Sequence, residues 1–180
     1  MKAVLPIEDM DKRHAGLTPG VAGAYYEAAC VSLSRNHSPP QDFDIVRDET
    51  QLTAEVRWMP PDARRSAAWA NQSDATRDGA YACALAAAEV MCDMVAVGRA
   101  ETLTGADYYI APRGLGIQDF EHCTRFEVSG THCDASEVRR RLSDKVQQAK
   151  QGQSALPAIA AVVGFRVRSI MLRSVDHELD

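Results

Sequence analysis

The chain has 180 residues, 46% of them hydrophobic and 25% charged, with a net charge of −5. That length suits one domain, or one domain with an extension, and it is enough to bury a sizeable core. The acidic balance excludes nucleic-acid binding through the whole surface, so any such binding needs a local basic patch, a divalent cation or a partner. No apolar run approaches the ~18 residues that span a bilayer. The first residues, MKAVLPIEDMDKRHAG, lack the apolar stretch of a signal peptide, so the expected location is cytoplasmic, with no membrane partner. The five cysteines (Cys30, Cys83, Cys92, Cys123, Cys133) are odd in number and irregularly spaced, against a disulfide framework.

Residues 1–17 are polar and read as loosely ordered. Thr18-Pro19 then signals a helix start, with Thr as N-cap and Pro in the first turn, and the helix runs through VAGAYYEAACVSLSR to Pro39-Pro40. A first strand is expected at 43–46. A second follows from the alternation of Leu52, Ala54, Val56 and Trp58 with polar residues. A long apolar helix, ATRDGAYACALAAAEVMCDMVAVG, is capped by Ser73 or Asp74 and ends at Gly98; so little polar surface predicts burial. Strands are expected at 105–112 and 124–131. A helix follows from Asp134 or Ser136 to Gln151, ended by Gly152. Residues 157–172 supply one long strand, or two broken at Gly164. From residue 73 the expected order is helix, strand, strand, helix, strand.

Three acids lie among apolar or strand-forming residues: Glu89 in the apolar helix, Asp107 before Tyr-Tyr-Ile, and Glu127 in Arg-Phe-Glu-Val-Ser. A charge in a buried element is costly unless paired or metal-bound. Two strand carboxylates and a third from a packed helix could converge on Mg²⁺, which takes a few oxygen ligands and keeps several waters. Such an ion activates water and stabilises charge on a phosphodiester. One cation also points inward. On the helix 135–151, Lys145 falls within roughly 20–60° of the apolar face formed by Val138, Leu142 and Ala149.

The order of elements, with Asp107 on one strand and Glu127 on the next, resembles the restriction-endonuclease-like core of PD-(D/E)xK nucleases over residues 73 to about 172. The resemblance implies an α/β (α+β) fold, helix-strand-strand-helix-strand around a mixed sheet, with residues 1–72 as an N-terminal extension and 73–180 as the core. It implies a Mg²⁺- or Mn²⁺-dependent nuclease acting in phage or mobile-element defence. Asp107 and Glu127 would be the metal ligands, and Glu89 the helix acid. The motif lysine position holds Ser129, which carries no positive charge. Some members of the superfamily place that lysine on the following helix, which makes Lys145 the candidate. Gln148, about 60° from Lys145, resembles a helical Gln used near such sites.

Other readings of the same residues stand beside this one. Asp107 could cap a turn after Gly105. Glu127 and Ser129 could form a solvated strand face, Glu89 could pair with Arg77 or another cation, and Lys145 could reach water over the apolar face. His122-Cys123 and His132-Cys133 offer soft metal ligands, but neighbours on a strand point to opposite faces. Arg139 and Arg140, with Arg141 beside them, are candidate phosphate contacts, as are Arg64-Arg65, Arg166, Arg168 and Arg173. The alternative function is a catalytically inactive nuclease-like domain that binds a partner protein; a homo-oligomer is also open.

Overall fold

The computed structural model describes residues 2–102 and 104–175. The chain forms a mixed α/β fold around one eight-stranded mixed sheet. In chain order the elements are β1 (Ala3–Leu5), α1 (Pro19–Ser34), β2 (Gln41–Arg47), β3 (Thr50–Val56), α2 (Ala63–Ala68), α3 (Gln72–Cys92), β4 (Met94–Arg99), β5 (Tyr108–Pro112), β6 (Thr124–Thr131), α4 (Ala135–Gln151), β7 (Ala158–Gly164) and β8 (Ser169–Val175). The strand order is β1-β3-β2-β8-β7-β6-β5-β4. The β1/β3, β2/β8 and β6/β7 pairs are parallel and the others antiparallel. Among the described residues no helix is long and apolar enough to cross a membrane.

The N-terminal segment is ordered, contrary to expectation. Leu5, Ile7, Met10, His14 and Leu17 are buried, and β1 pairs with β3. The segment then crosses to the opposite edge of the sheet, where Gly16 N–H donates to Ala96 O at 2.9 Å and Ala96 N–H donates to His14 Nδ1 at 2.9 Å. Laid flat, eight strands would hold the outer two roughly 34 Å apart. The chain from Leu5 to His14 reaches at most roughly 32 Å fully extended, and it includes the 3₁₀ turn Met10–Lys12. The sheet is therefore curled, and residues 6–16 tie its two edges together.

The concave side holds α3, whose residues from Gly79 to Glu89 are all buried. A helix enclosed by a curved sheet and a second helix needs no polar stripe, which accounts for its apolar sequence. The second helix is α1, started by Thr18, whose hydroxyl accepts from Val21 N–H. Gly79 lets the two helices touch: a Cβ there would stand 3.0 Å from the Ala28 carbonyl. Gly79→Ala is expected to destabilise the fold by about 1–3 kcal/mol through overpacking. Urea denaturation checks this, and an unchanged midpoint would show that the helices can separate freely.

The apolar run after α3 belongs to a strand, not to the helix. Asp93 adopts a left-handed conformation (φ 52°) and ends α3 at Cys92, and Met94–Arg99 forms β4. The helix start also differs: Asn71 is the cap and accepts from Ser73 and Asp74 N–H. From α3 onward the order is thus helix, three strands, helix, two strands. Helix α4 covers the convex face. Val138, Leu142 and Ala149 pack on Ala158, Ala160 and Val162 of β7, while the alternate residues Ile159, Ala161 and Val163 face the main core.

Candidate metal centre and cleft

Alternation along β6 assigns its side chains to two covered faces. Phe126 and Val128 enter the core under α3. Gly130 permits close approach there, because a Cβ would stand 2.8 Å from Ala80 Cβ. Glu127 and Ser129 point the other way, towards α4, and both faces are roofed, so Glu127 is only 3% exposed. Its carboxylate is met from α4 by Lys145, with Nζ 2.6 Å from Oε1; Lys145 Nζ also reaches Gln148 Oε1 at 3.1 Å. Glu127 Oε2 has no hydrogen bond among the described residues.

Asp107 lies alongside Glu127. One residue before β5, its N–H donates to Phe126 O at 2.9 Å, and its Oδ2 accepts from Val128 N–H at 2.8 Å. These two bonds bracket Glu127 and set the carboxylates on neighbouring antiparallel strands. Oδ1 of Asp107 accepts from the Tyr81 hydroxyl of α3 at 2.8 Å. Arg99, at the end of β4, lies over the rings of Tyr81 and Tyr108 at 4.7 and 4.8 Å and donates to the Tyr81 hydroxyl. Burial, followed by the Asp107 charge, pushes the Tyr81 hydroxyl up, so it remains a donor.

The two acids repel each other. Burial pushes the Glu127 carboxyl up, the Asp107 charge adds to this, and Lys145 offsets only part of it. A divalent cation would relieve that repulsion. Hard oxygen donors from one or two carboxylates, with room for water, suit Mg²⁺ or Mn²⁺. Asp107, Tyr81, Ser129 and Lys145 line a cleft of about 570 Å³, and Glu127 lies buried behind Lys145 and is not part of its lining. Among the described residues no three His, Cys, Asp or Glu side chains are grouped as a metal cluster. A divalent cation here would therefore have only the Asp107–Glu127 pair as carboxylate donors among the described residues.

The structure does not bring Glu89 to this pair. It sits two turns along α3 from Tyr81, about 12 Å by helical rise. There its carboxylate accepts from Arg13 Nε at 2.9 Å, from Arg113 Nη2 at 2.6 Å and from His14 Nε2 at 3.1 Å. Burial pushes the Glu89 carboxyl up, but these three hydrogen bonds outweigh it and hold it at about 2. Its partners are thus not Arg77, which binds Asp74 and Asp78. Glu89 fastens the N-terminal segment to α3 and to the end of β5.

Of the basic candidates, Arg140 is engaged by Glu137 and Asp144 on the exposed side of α4. Arg139 borders a separate groove with Met171 and Arg173. The arginines that line the cleft are Arg77 and Arg141. Arg141 donates to Ser129 Oγ and Gly130 O, both at 3.3 Å. It precedes Lys145 by four residues, so helical spacing was the available signal for it. The two His-Cys pairs stay apart from each other. His132 stacks on Phe165 at 5.1 Å, and Cys123 is buried beside Tyr109. Burial and the charges of Arg35 and His37 push His132 down to about 4, so it is neutral near pH 7. No protein-family model, curated protein or solved structure matches the chain.

Proposed function

We propose that the protein is a divalent-metal-dependent nuclease built on a restriction-endonuclease-like core, with Mg²⁺ or Mn²⁺ as cofactor. The observation that carries this reading is the Asp107–Glu127 pair on adjacent strands at a cleft, with Lys145 Nζ 2.6 Å from Glu127. Asp107 and Glu127 would hold the ion, which when bound lowers the pKa of water and stabilises charge on a phosphodiester. Tyr81 and Val128 N–H fix the Asp107 carboxylate in direction. Lys145 opposes the rise in the Glu127 pKa and would place a positive charge where an attacking water and the developing phosphorane charge would lie. It does so from α4, which answers the serine at position 129.

The test is calorimetric titration of Mg²⁺ and Mn²⁺ into the wild type, Asp107→Ala and Glu127→Ala, with cleavage of DNA and RNA followed on the same samples. Binding to the wild type, its loss in both variants and metal-dependent cleavage are expected. A wild type that binds no metal and cleaves nothing would instead favour the inactive, partner-binding reading, for which the Lys145–Glu127 ion pair already neutralises one acid. The same ions should raise the melting temperature of the wild type by an amount that grows with concentration above Kd, and leave Asp107→Ala unmoved.

A further inference from the structure

The cleft gathers three cations within an acidic protein. Arg77, Arg141 and Lys145 line it, against a single lining carboxylate, Asp107. These three cations are not equally available. Arg77 is compensated by both Asp74 and Asp78, and Lys145 by Glu127. Arg141 has only Glu137, which it shares with Arg140. Its other bonds go to neutral acceptors, Ser129 Oγ and Gly130 O, and they hold the guanidinium in place without cancelling its charge. Nη2 has no acceptor among the described residues. A guanidinium fixed in this way loses little freedom on binding and offers a planar pair of donors suited to phosphate. Gln72, Ser73 and Thr76, from the first turns of α3, form the opposing wall, so the positive end of that helix adds to the same potential.

Ser129 lies two residues beyond Glu127 on the same face of β6, roughly 7 Å along the strand. That separation is on the scale of neighbouring phosphates in one nucleic-acid strand. We propose that Arg141 binds the backbone phosphate next to the one at the Asp107–Glu127 pair, so that the cleft takes a polynucleotide strand and not a single nucleotide. The placing of the second phosphate rests on the nuclease reading; phosphate binding by Arg141 is measurable apart from it.

The experiment is fluorescence anisotropy in EDTA, where no metal-dependent cleavage occurs. The probes are a labelled single-stranded DNA and the RNA of the same sequence, titrated with wild type, Arg141→Ala, Arg141→Lys and Arg139→Ala over a series of salt concentrations. Arg141→Ala is expected to weaken binding by about tenfold and to reduce the salt dependence by about one phosphate contact. Arg141→Lys, which keeps the charge and loses the fork, should keep the salt dependence and recover part of the affinity. Arg139→Ala, on the other groove, should bind as the wild type does. Circular dichroism and melting temperature verify that each variant is folded. Loss with either strand supports the proposal, and the strand that binds identifies the sugar. Failure of both strands to bind the wild type overturns it, as does wild-type affinity and salt slope in Arg141→Ala. A wild type that binds through Arg141 yet cleaves nothing with Mg²⁺ removes the nuclease reading and leaves this site standing.

Discussion

On the proposed nuclease reading, Lys145→Ala is expected to lower cleavage of nucleic acid by about two to three orders of magnitude, the usual cost of removing one preorganised charge from a transition state. It will also move the pH dependence of metal binding to higher pH. The second effect follows from the ion pair. Glu127 is buried beside Asp107, and both facts raise its pKa, while Lys145 opposes them through a hydrogen bond and its charge. Without Lys145 the carboxyl holds its proton to higher pH. Metal binding needs the carboxylate, so the midpoint of Mg²⁺ affinity against pH rises with it. The stability linkage has the same sign. A carboxyl raised in the fold favours the protonated native state, so its contribution is fullest at low pH and is lost as pH rises from the unfolded to the folded value. In Lys145→Ala that decline extends to higher pH, and Mg²⁺ should reverse it. Calorimetric titration at several pH values reads the midpoint directly. If it is the same in wild type and variant, Lys145 does not govern Glu127. Arginine at 145 would keep the charge but not the compact ammonium, and should restore the pH midpoint better than the rate.

The parts legible in the sequence were those with local signals. The helix α4 announces itself by Asp134 as cap, three apolar residues on one face and Gly152 at the end, and its spacing turns Lys145 inward. The strand β6 was legible from its composition, and α1 from Thr18-Pro19. β4 was not, because the apolar run continues from α3 through Val95-Ala96-Val97 with only Asp93 to break it. What ends the helix is a left-handed Asp, a conformation that the residue permits but does not announce. The order of residues 2–17 is illegible for a different reason. Leu5, Ile7, Met10 and Leu17 follow no period, and each is buried by elements distant in the chain. The site divides in the same way. Acids inside strand-forming stretches stand out as costly charges. That Asp107 brackets Glu127 depends on the β5/β6 register, and that Tyr81 and Arg99 meet Asp107 depends on how α3 and β4 pack. Neither is a local property.

Glu89→Ala is expected to cost about 3 kcal/mol of stability and to leave Mg²⁺ affinity unchanged. The carboxylate is 6% exposed and receives three donors. Removing one member of a buried ionic network costs about 3–5 kcal/mol. Here Arg13 and Arg113 are partly exposed and can rehydrate, which lowers the figure. His14 cannot, being fully buried, so its Nε2 would lose its partner at a cost of about 1–3 kcal/mol. The pH dependence gives an independent figure. With the carboxyl held at about 2 in the fold and about 4.3 when unfolded, the linkage is worth about 3 kcal/mol. Its sign is that of a depressed acid: the stabilisation is complete above the unfolded value and is lost as pH falls through the folded one. The wild type should therefore lose stability between roughly pH 5 and 2, and Glu89→Ala should lose much less over the same range. Glu89→Gln keeps an acceptor for His14 and should fall between the two. Thermal denaturation across this pH range measures all three proteins, with a drop of roughly 10 °C expected for Glu89→Ala near neutrality. The pattern separates two roles for one residue. A metal ligand would show lost Mg²⁺ affinity with little loss of stability. A clamp on residues 6–16 would show the reverse, because freeing them would uncover the edge of β4 and let the curled sheet open.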